Sequence, residues 1–102
     1  MNIWIDGDAC PKAIKDILFR AAIKRKVPLL FIANHPTQIP ASTFIQRVVV
    51  SAGFDKADLY IVENCSEKDL VITSDIILAD LVIAKNAFAL NPKGTLYTQE
   101  NI

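Results

Sequence analysis

The 102-residue chain is poor in the residues from which several familiar sites are built. Its three glycines, Gly7, Gly53 and Gly94, cannot assemble a dinucleotide fingerprint or a phosphate-cradling P-loop. One histidine, His35, leaves little for a zinc site. The two cysteines, Cys10 and Cys65, stand in no metal-type spacing and fit reduced thiols in the cytoplasm better than a disulfide framework. No apolar run approaches the roughly 20 residues of a membrane span. The amino terminus has no basic region and reaches Asp6 directly after Ile3-Trp4-Ile5, unlike a secretory signal. Net charge is absent too, since 11 Lys+Arg balance 11 Asp+Glu, so no polybasic nucleic-acid tail is present. The expectation is a cytoplasmic protein without membrane association.

What the chain does have is apolar residues, 52% of the total, rather greasy for one small domain over residues 1–102. Its neutrality is a sum of opposites. Residues 1–50 hold seven bases and three acids, and residues 51–102 hold four bases and eight acids. The cluster Lys24-Arg25-Lys26 falls where a helix is expected to end, and the helix dipole favours cations there.

Short apolar runs alternate with helical patterns, which implies parallel βαβ units. Strands are expected at Ile3-Trp4-Ile5, residues 28–33, Val48-Val49-Val50, residues 70–73 and residues 87–90. Helices are expected from Pro11 to about Lys26, from Asp55 to about Cys65 and from Asp75 to Lys85, with Ser42 or Thr43 capping a short helical turn. The fold class is therefore α/β: a three-layer α/β/α domain with a mostly parallel sheet of about five strands. On the first helix, Phe19 and Ile23 fall away from the main apolar face. The third helix is apolar almost all round, so cover by further chain or a second subunit is expected.

Ligands of such sheets bind beyond the carboxyl ends of the strands. Those ends carry Asp6, Asp8, Asn34, Ser51, Ser74, Asp75 and Asn91. Asp58 joins the rim if its helix starts nearby. Carboxylates gathered in one place repel, and persist when a proton or a cation neutralises them. Hard oxygen donors without imidazole or thiolate suit Mg²⁺ or Mn²⁺, and such ions activate water and clamp phosphoryl groups. Each acid also has a plain structural reading: Asp75 or Ser74 as a helix cap, Asp8 as a turn residue ahead of Pro11, Asp58 as a solvated helix residue. Asp6, directly ending a buried strand, has the weakest such reading. Asp80 reads as an exposed helix edge, Cys10 as a packed residue and His35 as a loop residue. Asn34, Arg47, Ser74 and Asn91 are the expected substrate contacts.

The opening Ile3-Trp4-Ile5-Asp6-Gly7-Asp8-Ala9-Cys10-Pro11, the middle segments Gly53-Phe54-Asp55, Ala57-Asp58 and Asp69-Leu70-Val71-Ile72-Thr73-Ser74-Asp75, and the closing Ala89-Leu90-Asn91-Pro92 resemble the YaiI/YqxD family. The resemblance runs through the whole chain. It implies a PIN-like fold, grouped with nuclease domains whose acidic rim binds divalent metal and cleaves RNA or DNA phosphodiesters. By resemblance Asp6, Asp8, Asp58 and Asp75 are the catalytic and metal-holding acids, and nucleic acid, RNA first, is the substrate. Gly7 stands where the family more often has alanine, a change expected to loosen the turn. Members of the family look longer, with a helical, arginine-bearing tail beyond the point matching Ile102. Two further readings stay open. One is a haloacid dehalogenase-type phosphatase with Asp6 as nucleophile and Asp8 handling protons. The other is a non-catalytic domain that binds RNA or a protein partner. A homo-oligomer is compatible with all three.

Overall fold

A computed structural model of the chain describes residues 1–53 and 55–102, which leaves Phe54 of the middle segment outside the description. The five expected strands form: β1 (Ile3–Asp6), β2 (Leu29–Ala33), β3 (Ile45–Val49), β4 (Leu70–Ile72) and β5 (Phe88–Leu90). They pair in the order β3-β2-β1-β4-β5, every pair parallel. Consecutive parallel strands need crossover connections: α1 (Lys12–Arg25), α2 (Lys56–Asn64) and α3 (Ile76–Ala84) supply three, and residues 34–44 join β2 to β3 without a helix. Among the described residues no helix is long and apolar enough to cross a membrane.

Side-chain alternation along the central strand sorts the core into two layers. Ile3 and Ile5 pack with Phe19, Ala22, Leu29 and Phe31 under α1. Trp4 packs on the other face with Ala57, Ile61, Leu78, Ala79 and Val82 of α2 and α3. Asp6 shares the parity of Trp4, so the strand ends by aiming a carboxylate toward the α2 and α3 side. At the opposite end of the sheet, Asp69 accepts bonds from the Asn2 N–H (2.9 Å), the Trp4 indole N–H (3.0 Å) and the Ser66 N–H (2.9 Å). Burial lifts the Asp69 pKa, but these donors outweigh it and hold the carboxyl below its ordinary value.

Three expectations about the strands and helices change. Strand β3 begins at Ile45 rather than Val48, because Ile45 is buried and pairs with Leu29 while Gln46 and Arg47 stay exposed on this edge strand. The helical turn after Ser42 does not form: the Ser42 hydroxyl accepts from the Phe44 N–H at 3.1 Å and the chain turns straight into β3. Phe19 belongs to the core at 5% exposure, its ring 5.8 Å from that of Phe31, while Ile17 and Ile23 face outward. The helix settles with its largest apolar side chain inward, which a count of apolar positions does not weigh. The all-round apolar character of α3 holds, since Leu78, Ala79 and Val82 are buried while Ile76, Ile77 and Leu81 are exposed.

Gly7 is a close-approach position, not a loosened turn. A Cβ there would lie 2.5 Å from Phe31 Cζ and 2.9 Å from the Ile32 carbonyl oxygen. The Phe31 ring thus fills the space that a residue-7 side chain would need. Gly7→Ala is expected to cost about 1–3 kcal/mol through overpacking. In a double-mutant cycle with Phe31→Leu the alanine costs less in the leucine background. Chemical denaturation checks both values, and a neutral Gly7→Ala in the native background contradicts the reading.

Candidate functional site

In the strand order, β1 leads to β2 on one side and has β4 on the other, so the crevice of the sheet opens between the carboxyl ends of β1 and β4. Asp6 ends β1, and Thr73 follows β4. Asp6 is 5% exposed, and its Oδ2 accepts a bond from the Thr73 hydroxyl at 3.2 Å. The same Thr73 oxygen accepts from the Asp75 N–H at 3.0 Å, which places the start of α3. Burial pushes the Asp6 pKa up; the Thr73 bond opposes this, and the Asp8 and Asp75 carboxylates add to the rise.

Asp75 is the amino-terminal cap of α3, its Oδ1 accepting from the Ile77 N–H (2.9 Å) and the Leu78 N–H (3.2 Å). The structural and functional readings of this residue are therefore compatible: capping fixes the carboxylate at the rim. Asp58 stands in the first turn of α2, half-buried. Its pKa is pushed up to about 7, first by burial, then by a hydrogen bond with Asp75 and by the Asp6, Asp75 and Asp55 carboxylates. Asp55 caps the start of α2 in the left-handed conformation (φ 64°) and makes no capping bond with its side chain. Oxygens of Asp55, Asp58 and Asp75 all lie within 4.8 Å of one another.

The structure brings together Asp58 and Asp75, with Asp6 close enough for its charge to bear on both. It adds Asp55, which sequence reasoning used only as the opening residue of a helix. The available signal was its position three residues before Asp58, one turn along the same helix start. Asp8 accepts from the Asn34 N–H at 3.2 Å and stands 3.6 Å from His35 Nδ1, while its charge, like that of Asp75, bears on Asp6. Among the expected substrate contacts, Arg47 donates to the Thr37 carbonyl at 2.9 Å and ties down the loop before β3. Asn91 accepts from the Lys93 N–H and donates to the Tyr97 hydroxyl, both at 2.8 Å. Ser74 is exposed at the rim, and the Asn34 side-chain oxygen lies 2.9 Å from His35 Nδ1. Cys10 is buried, which pushes its thiol pKa up, and Asp80 is exposed.

From the three-acid cluster an apolar groove of about 210 Å³ runs between α2 and α3, walled by Leu59, Val62, Ile77, Leu78 and Leu81. The donor set is all carboxylate oxygen. Ligands of an octahedral Mg²⁺ lie about 3.0 Å apart when adjacent and about 4.2 Å apart when opposed, so three oxygens spread over up to 4.8 Å must draw together to hold such an ion.

These features define a parallel α/β domain with carboxylates gathered at the crevice beside its central strand. The family model described as "Uncharacterized BCR, YaiI/YqxD family" matches residues 4–102, and the chain belongs to that family. Similar proteins, each named UPF0178 protein, occur in Maridesulfovibrio salexigens (55% identical over 102 residues), Shewanella loihica (58%) and Colwellia psychrerythraea (56%). Each match covers 100% of this chain and 68% of the relative. No solved structure matches the chain.

Crowding of these acids has a consequence for stability. A carboxyl whose folded pKa is about 7, against an ordinary 3.8, binds a proton in the folded state that the unfolded chain has already released. Between those values stability falls as pH rises. In metal-free buffer the protein is expected to melt at a higher temperature at pH 5 than at pH 8. Asp58→Asn removes a large part of that difference. Calorimetric melting at the two pH values checks this, and an equal pH dependence in both proteins contradicts it.

Proposed function

We propose that the acidic site binds Mg²⁺ or Mn²⁺ and that the protein hydrolyses phosphodiester bonds of nucleic acid, RNA being the expected substrate and the cytoplasm its compartment. The observation that carries the reading is the approach of Asp55, Asp58 and Asp75 within 4.8 Å at the crevice beside Asp6. When bound, a divalent ion supplies charge neutralisation and an activated water for attack at phosphorus.

The chain's own residues have separable tasks. Asp75 presents a carboxylate immobilised by the Ile77 and Leu78 N–H groups. Asp58 holds a proton near neutrality, and a cation bound beside it would favour the carboxylate and displace that proton to solvent. Thr73 keeps Asp6 oriented and joins it to the start of α3. The rim residues Asn34, His35 and Ser74 offer polar contacts for a phosphate backbone, which position a substrate without reading bases. Burial of Asp6 to 5% weighs against the phosphatase reading, in which that carboxylate must attack phosphorus directly.

Cleavage of single- and double-stranded RNA and DNA with Mn²⁺, set beside Mn²⁺ titration calorimetry, tests the proposal. Asp58→Asn and Asp75→Asn are expected to abolish cleavage. Each weakens Mn²⁺ binding by at least the roughly 10–100-fold that follows loss of an outer-shell partner. Inert wild-type protein, with the same heats of titration in all three forms, overturns it.

A further inference from the structure

Two exposed surfaces on opposite faces of the sheet complement one another. Ala13, Ile17, Arg20, Ala21 and Lys24 recur at helical spacing on the solvent side of α1. Ile17 there is 52% exposed. On the other face, Leu59, Ile77 and Leu81 flank the groove between α2 and α3 and are 52%, 74% and 46% exposed. The groove side is a stripe of aliphatic side chains in water, and the α1 side sets Ile17 and two alanines among Arg20 and Lys24.

Their charges are opposite. Helix α1 carries five bases and a single acid, Asp16, which already pairs with Lys12 at 3.6 Å. Helices α2 and α3 with their caps carry Asp55, Asp58, Glu63, Asp75 and Asp80. Their bases are Lys56 and Lys85, and Lys85 is engaged with the Val62 and Cys65 carbonyls. The uneven halves of a neutral chain are thus displayed on two outer faces.

We propose that the groove between α2 and α3 is occupied by α1 of a second copy of this chain. The orientation follows from charge. The acids Asp55, Asp58 and Asp75 mark the amino-terminal ends of α2 and α3, whereas Lys24 and Arg25 occupy the last turn of α1. An antiparallel α1 brings those bases to the acidic end of the groove and Ile17 onto its aliphatic walls, with helix dipoles opposed. One face of each copy meets the other face of the next, so the contact is heterologous and propagates into a ring or an open chain. The proposal does not rest on the phosphodiesterase reading and competes with it, since α1 sets Lys24 and Arg25 beside Asp55, Asp58 and Asp75, the carboxylates that reading gives to a cation.

A complementation experiment in sedimentation velocity tests it. Wild-type protein is expected to gain mass with concentration, less so in high salt, as the Debye length shrinks from about 10 Å at 0.1 M to 3 Å at 1 M. Ile17→Asp spoils only the helix surface and Leu81→Asp only the groove, so each alone is a monomer. Their mixture forms a one-to-one pair, since each retains the half that the other lacks. Circular dichroism verifies that both variants fold, and Arg20→Glu with Ile77→Asp forms a second pair should either fail. A wild-type monomer at every concentration overturns the proposal. So does a mixture that stays monomeric, or self-association that survives Ile17→Asp, the mark of a two-fold contact between α3 helices.

Discussion

A carboxylate taken out of water at the end of a central strand must be hydrogen-bonded, and Asp6 meets this requirement through Thr73, at the end of the adjacent strand. That hydroxyl is shared. By accepting the Asp75 N–H it also fixes where α3 begins, and hence where the Asp75 carboxylate stands. One residue therefore couples the ends of β1 and β4 to the helix cap that faces Asp58 across the crevice. The crowding of Asp6 and Asp75 beside Asp58 follows from this clasp, and it adds to the burial that raises the Asp58 pKa.

The opposite end of the sheet is built on the contrary principle. Asp69 is also buried, yet it collects three donors and stays ionised below its ordinary pKa. Burial raises both acids, but three N–H donors outweigh it at Asp69, whereas at Asp6 the Thr73 bond does not and the Asp8 and Asp75 carboxylates add to the rise. Structure is anchored at the amino end of the strands by a saturated carboxylate, and carboxylates of raised pKa collect at the carboxyl end.

Much of this was legible in the residues. The alternation of apolar runs with helical patterns is enough for a parallel sheet of five strands, and strand ends are enough to nominate Asp6 and Asp75. Asp58 required the start of α2 to lie near the rim, which it does. Less legible were features set by tertiary approach. Asp55 joins the cluster through a left-handed backbone that no apolar pattern signals. Asp8 turns to Asn34 and His35 because the chain makes a short 3₁₀ turn after β1. Phe19 is drawn inward by Phe31, and Gly7 is held small by that same ring. Strand β3 was half-hidden because an edge strand keeps polar residues on its exposed positions.

The central claim is that the clasped acids form one cation site. The most direct measurement is a crystal structure of the protein grown with Mn²⁺, read by anomalous scattering. The account predicts a peak within coordination distance of carboxylate oxygens from at least two of Asp55, Asp58 and Asp75. A map with no peak there, or with manganese only on acids outside the crevice, would contradict it.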